Sequence, residues 1–133
     1  MSSNSIPRIL VADDDVEDQE MLMEYFLGGG LSREDVAFVT NGRAAIEYLL
    51  KQDSLPGLVV LDLKMPVLDG QSTLVQMKGD IRLKKIPVVI YSTSSNDQDR
   101  RKCMVNGALE YFIKPSSYSE GEAMASRLME FLH

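Results

Sequence analysis

Leu58-Val59-Val60-Leu61-Asp62 is a run of four apolar residues closed by a carboxylate. A short apolar run introduced by Pro56-Gly57 predicts a strand covered on both faces, and parallel sheets are where such strands occur. An acid at the C-terminal tip of that strand points into the crevice where open α/β sheets bind ligands. A second run, Arg8-Ile9-Leu10-Val11-Ala12, ends in Asp13-Asp14-Asp15, so two strand ends direct several carboxylates toward one point. Unpaired like charges at that spacing oppose one another's ionisation. A divalent cation resolves the repulsion.

Outward from these two runs, strand and helix patterns alternate. Val36-Ala37-Phe38-Val39, Val88-Val89-Ile90-Tyr91 and Glu110-Tyr111-Phe112-Ile113 read as three further strands. Met21, Leu22, Tyr25 and Phe26 recur at helical intervals until Gly28-Gly29-Gly30 stops them, and Asn41-Gly42 opens a helix whose buried face is Ala45, Ile46, Leu49 and Leu50. After the turn-rich segment from Lys64 to Gly70, Leu74, Val75 and Met77 mark a third helix. A fourth runs through Cys103 to Gly107, and the last carries Met124, Leu128, Phe131 and Leu132 on one face. Five successive βα units predict an α/β fold: a flavodoxin-like, doubly wound, five-stranded parallel sheet in the order 2-1-3-4-5, with helices on both faces. The switch point of that order lies beside strands one and three, the two that end in carboxylates.

The 133 residues fit one domain, 1-133, with a core over about 8-132. Fourteen Lys and Arg face 20 Asp and Glu, a formal net charge of -6, which argues against nucleic acid or an anionic membrane as the main partner. The single cysteine, Cys103, excludes an internal disulfide and sits in no metal-type cluster, so inert packing is its expected role. Met1-Ser2-Ser3-Asn4-Ser5 has neither the basic start nor the apolar stretch of a signal peptide, and no run is long enough to span a bilayer. A cytoplasmic protein is expected. His133 has no partner in view and is given no role.

Two more groups fall on the same rim: Ser92, directly after strand four, and Lys114, directly after strand five. The hydroxyl can donate one hydrogen bond and the ammonium supplies a mobile positive charge. Acids, hydroxyl and ammonium together make a phosphoryl site. An aspartate carboxylate is a nucleophile toward phosphorus, and its acyl-phosphate product is transient. Mg²⁺ would be held by Asp14, Asp62 and a backbone carbonyl. Phosphoryl transfer needs mainly positioning and charge neutralisation, which the cation and Lys114 would provide.

The chain resembles the receiver domains of two-component response regulators, of the chemotaxis type. The resemblance rests on Ile9-Leu10-Val11-Ala12-Asp13-Asp14, on Leu61-Asp62-Leu63-Lys64-Met65-Pro66 with Asp69-Gly70, on Pro87-Val88-Val89-Ile90-Tyr91-Ser92, and on Tyr111-Phe112-Ile113-Lys114-Pro115. Ser92 follows Asp62 by 92 − 62 = 30 residues and Lys114 by 114 − 62 = 52, spacings typical of that family. The resemblance implies that Asp62 is the phosphoacceptor, Asp14 a direct magnesium ligand, Asp13 a ligand through water, and Lys64 a ligand through its main-chain oxygen. It makes Ser92 the switch hydroxyl, Lys114 the family's lysine, and Tyr111 the aromatic whose ring moves inward when the hydroxyl is drawn to the phosphoryl group. Lys114-Pro115 is the expected cis peptide. Asp15 lies beyond the family's acidic pair and is favoured as a helix cap over an extra attraction for the cation.

The function so implied is a stand-alone phosphoacceptor switch, phosphorylated on Asp62 by a histidine kinase or a histidine phosphotransfer protein and signalling through a downstream protein partner. A homodimer is a further expectation. The chain would be no enzyme beyond its own phosphorylation and dephosphorylation. One alternative is a phosphorelay intermediate that passes the phosphoryl group onward; another is an aspartyl-phosphate phosphatase, with Asp13 and Asp15 as paired acids, for which the chain is short. A flavin or nucleotide binder would want a Gly, Ser or Thr loop after strand one, where three aspartates repel phosphate.

Overall fold

A computed structural model describes residues 7–132; Met1-Ser2-Ser3-Asn4-Ser5 and His133 lie outside the described residues. Five strands alternate with five α-helices: β1 (Ile9–Ala12), α1 (Val16–Gly28), β2 (Val36–Val39), α2 (Gly42–Lys51), β3 (Leu58–Leu61), α3 (Gly70–Lys78), β4 (Val88–Ser92), α4 (Asp97–Val105), β5 (Glu110–Ile113) and α5 (Tyr118–Glu130). All neighbouring strands pair in parallel, in the order β2-β1-β3-β4-β5. The expected fold and strand order are those observed.

The central strands hold the sheet because both of their faces are apolar. Every residue of Ile9–Ala12 and of Leu58–Leu61 is fully buried, and each Ile, Leu or Val side chain among them contributes about 1.5–3 kcal/mol relative to exposure. Alternation along each strand divides the core in two. Leu10, Ala12, Val59, Leu61 and Ile90 meet Leu49, Leu74, Met77 and Cys103 on the α2–α3–α4 side. Ile9, Val11, Leu58, Val60, Val89 and Tyr91 meet Phe26, Leu22, Met124 and Leu128 on the α1–α5 side. There α1 and α5 approach closely because Gly121 has no side chain: a Cβ at that position would overlap the Tyr25 ring.

Each helix begins with a side chain that accepts a backbone N–H, from Asp15, Asn41, Asp69, Asn96 and Ser117. Such caps are worth about 1 kcal/mol each. The cap role expected of Asp15 is therefore observed, with N–H groups of Glu17 and Asp18 at 2.9 and 3.2 Å.

Several local expectations need correction. Of the expected buried face of α2, Leu50 is exposed and Ile46 is only partly buried. Each sits at the margin of a helical stripe, one residue from a buried neighbour, where periodicity does not separate edge from centre. Phe131 and Leu132 lie just past the end of α5 and are partly buried. A short 3₁₀ turn at Arg33–Asp35 precedes β2, and Asp35 accepts the Ser32 backbone N–H at 2.9 Å. Among the described residues no peptide bond is cis, so Lys114-Pro115 is trans. Trans is the favoured isomer of X–Pro by about 0.5–1 kcal/mol, and Lys114 reaches its partners without a cis bond.

Candidate functional site

The C-terminal ends of β1, β3, β4 and β5 open onto one rim, and parallel pairing at fixed register brings the predicted residues there. Asp62 follows β3 directly and its N–H donates to the Ala12 carbonyl at 3.0 Å, which sets it beside the acids following β1. Carboxylate oxygens of Asp13, Asp14 and Asp62 all lie within 4.8 Å of one another. Asp13 and Asp62 are buried while Asp14 is exposed at the mouth. A shallow cleft of about 510 Å³, lined by Asp14, Leu63, Lys64, Met65, Pro66 and Asp69, adjoins the group at Asp14.

Lys114 closes the group from β5. Its Nζ donates to Asp62 Oδ2 at 2.9 Å, to Asp13 Oδ2 at 3.1 Å and to Asp18 Oδ2 at 2.8 Å. Burial by itself would lower the Lys114 pKa; the hydrogen bonds to Asp18 and Asp62 and the charges of Asp62 and Asp13 outweigh it and hold the pKa above the ordinary range. The ammonium therefore stays charged at any physiological pH. Asp62 has its pKa raised, because burial and the neighbouring Asp13 charge outweigh the contributions of Lys114 and the Lys64 N–H. That N–H is 3.4 Å from Asp62 Oδ1, a weak hydrogen bond. Asp62 Oδ1 is thus the freer of its two oxygens.

On β4, Ile90 is level with Leu61 of β3 and Ser92 lies two residues further on. Its hydroxyl oxygen accepts the Ser94 N–H at 3.1 Å, which leaves the hydroxyl proton available to another acceptor. Tyr111 is buried, and its phenol donates to the Ser94 carbonyl at 2.7 Å. The ring is therefore already turned inward, because a buried phenol needs an acceptor and this carbonyl supplies one. Ser94 is held through both of its backbone groups, its N–H by Ser92 and its carbonyl by Tyr111, the two residues expected to move together. The Ser94 hydroxyl turns to Asp99 in the first turn of α4, at 2.7 Å.

Two residues of the site carried no signal in the sequence reading. Asp18 sits in the first turn of α1 among Glu17 and Glu20, where an acid reads as solvated helix surface. Tyr91 reads as core, yet its phenol donates to Asp13 Oδ2 and Lys114 Nζ lies 4.7 Å from its ring centroid. Only the fact that Tyr91 shares strand β4 with Ser92 pointed toward the rim.

The family model of the response regulator receiver domain matches residues 9–126. The chain belongs to that family. A probable methanogenesis regulatory protein, FilR2 of Methanothrix harundinacea (strain 6Ac), is 33% identical over 127 residues, spanning 92% of this chain and 81% of that protein. The two-component response regulator ORR3 of Oryza sativa subsp. indica is 28% identical over 123 residues, 92% of this chain and 91% of that one. Among solved structures, the phosphorylated cyanobacterial phytochrome response regulator RcpA superposes with a TM-score of 0.80 at 29% identity, over 96% of this chain and 94% of RcpA. Response regulator RPA3017, in red light signalling of R. palustris, gives 0.84 at 27% identity over 95% and 93%. This receiver domain is accordingly a module of two-component signalling, a family of switches that interact with histidine kinases or phosphotransfer proteins. Among the described residues no helix is long and apolar enough to cross a membrane.

The donor set fits the family's Mg²⁺. Three carboxylates with oxygens within 4.8 Å of one another, two of them buried, offer only oxygen to a cation, and hard oxygen ligands are what Mg²⁺ takes.

Proposed function

We propose that Asp62 is the phosphoacceptor of this receiver, modified by a histidine kinase or a histidine phosphotransfer protein, and that the chain signals by protein–protein contact. The observation that supports this best is the position of Asp62: buried, flanked by acids that can hold a cation, bonded to Lys114 through Oδ2, and holding only a weak hydrogen bond on Oδ1. In the reaction Asp62 Oδ1 forms a bond to phosphorus as the bond from phosphorus to the donor, a histidine nitrogen or an acetate oxygen, breaks. Lys114 balances charge on the transferred oxygens, and the free Ser92 hydroxyl proton bonds one of them. Asp14 and Asp62 with the Lys64 main-chain oxygen, and Asp13 through water, would hold Mg²⁺. When bound, Mg²⁺ neutralises phosphoryl charge. The test is mass spectrometry after incubation with acetyl phosphate: one phosphoryl group per chain is expected, only when Mg²⁺ is present. Multiple turnover of a generic phosphate ester would instead support a phosphatase.

Switching follows from Ser94, whose backbone N–H is held by Ser92 and whose carbonyl is held by Tyr111. A phosphoryl group adds nearly two negative charges and strong acceptors, and drawing the Ser92 hydroxyl toward it shifts the β4–α4 loop and the Tyr111 phenol with it. The face that reports this is α4, β5 and α5, where Met104, Val105, Leu109, Ile113 and Tyr118 are exposed. Ser92→Ala keeps Asp62 and Lys114, so modification by acetyl phosphate is retained while the loop is uncoupled. Tyr111 ring shifts measured by NMR on adding beryllofluoride should shrink severalfold in Ser92→Ala. Shifts equal to those of the wild type would sink the coupling.

A further inference from the structure

We infer that Tyr91 is a positioning residue for the cation site, acting through Asp13; the inference rests on the receiver reading of that site. Asp13 is fully buried, so every lone pair on its carboxylate must be accounted for within the protein. Oδ1 accepts the Asp15 N–H at 2.9 Å. Oδ2 accepts both the Tyr91 phenol and Lys114 Nζ. A carboxylate has about four acceptor sites, two on each oxygen. Oδ2 is filled, and the single acceptor left is on Oδ1.

Tyr91 and Lys114 thus fix which oxygen of Asp13 faces a cation or the water on it. The two donors also steady each other, since the ammonium lies over the Tyr91 ring, an arrangement with its own attraction. Tyr91 is nearly inaccessible, packed on the α1–α5 side of β4 among Leu22, Tyr25 and Met124. Burial and the adjacent Asp13 carboxylate push its phenol pKa well up, so it remains a donor. A leucine or valine would fill the same core but leave Asp13 Oδ2 with one donor and free to turn.

Outer partners that orient a ligand of a metal change its affinity by about 10–100-fold when removed. Tyr91→Phe keeps the ring and its packing and deletes only the donor. Mg²⁺ binding to the folded protein, measured by calorimetry with no phosphodonor present, should weaken by about tenfold in Tyr91→Phe. In an Asp13→Asn background the same change should have no further effect on Mg²⁺ affinity, because its route is gone. Modification by acetyl phosphate should be slow in Tyr91→Phe at low Mg²⁺ and return toward the wild-type rate at saturating Mg²⁺. Unchanged Mg²⁺ affinity in Tyr91→Phe, with the wild type binding Mg²⁺ and modified on Asp62, overturns the Tyr91 role alone. An equal loss in both backgrounds also overturns it, by showing that the phenol does not act through Asp13. Failure of the wild type to bind Mg²⁺ overturns the site reading beneath it.

Discussion

Asp62→Asn is expected to abolish modification by acetyl phosphate and, in the absence of Mg²⁺, to make the protein more stable at neutral pH. The loss of modification is complete because the amide is not a nucleophile toward phosphorus and no other carboxylate at the site has a free oxygen in the same place. The gain in stability comes from charge. Asp62 has its pKa raised in the fold, so the native state holds its proton more tightly than the unfolded chain does. Its contribution is favourable at low pH and is lost as pH rises through the folded pKa. At neutral pH the ionised carboxylate is therefore a cost, and asparagine removes it while Lys114 keeps Asp13 and Asp18 as partners. A gain on the order of 1 kcal/mol in urea unfolding at pH 7 is the size expected. The difference between variant and wild type should narrow as pH falls toward the ordinary carboxylate value of 3.8. Modification of Asp62→Asn at the wild-type rate would dismiss the phosphoacceptor, and a variant less stable than the wild type at neutral pH would dismiss the charge account.

Gly70→Ala is expected to be nearly as damaging, though it touches no charged group. Gly70 begins α3, and its N–H donates to the Leu63 carbonyl at 2.9 Å. A Cβ there would overlap the carbonyl oxygen of Asp62 and crowd Leu63. The neighbour is backbone, which cannot swing aside, so the strand end carrying the acceptor must move. Overpacking of this sort costs about 1–3 kcal/mol, and a displacement of about 1 Å at a reacting group lowers rates by about 10²-fold. Gly79, at the other end of the same helix, is the control. A Cβ at Gly79 meets nothing closer than 3.5 Å, and Gly79→Ala should modify at the wild-type rate. Equal rates for both alanine variants would show that the tight approach at Gly70 does not set the geometry of Asp62.

These two residues mark what could be read from the chain. Fold and strand order were legible because β1 and β3 are apolar without interruption, end in acid and alternate with helical segments, the pattern of a parallel sheet covered on both faces. Asp13, Asp14, Asp62, Ser92 and Lys114 were legible for the same reason: each is the first or second polar residue at or just beyond a strand end, so topology alone puts them on one rim. Asp18 was not, because its meaning depends on the long reach of Lys114 and not on its own helix. Tyr91 was hidden by burial on both faces of β4, which erases the alternation that would tell which side a residue faces. The acceptor that holds the buried Tyr111 phenol, the Ser94 carbonyl, was not legible because it is a backbone atom of a loop.

The partners of Lys114 lie 101, 96 and 52 residues back along the chain, at Asp13, Asp18 and Asp62. During synthesis the acids emerge from the ribosome long before the ammonium that balances them. Contacts of such separation are slow to form and are made only when the intervening units are in place. A nascent or partly unfolded molecule therefore carries its three acids with no ammonium beside them, and the charge balance of the site exists only once the first, third and fifth strands have come together.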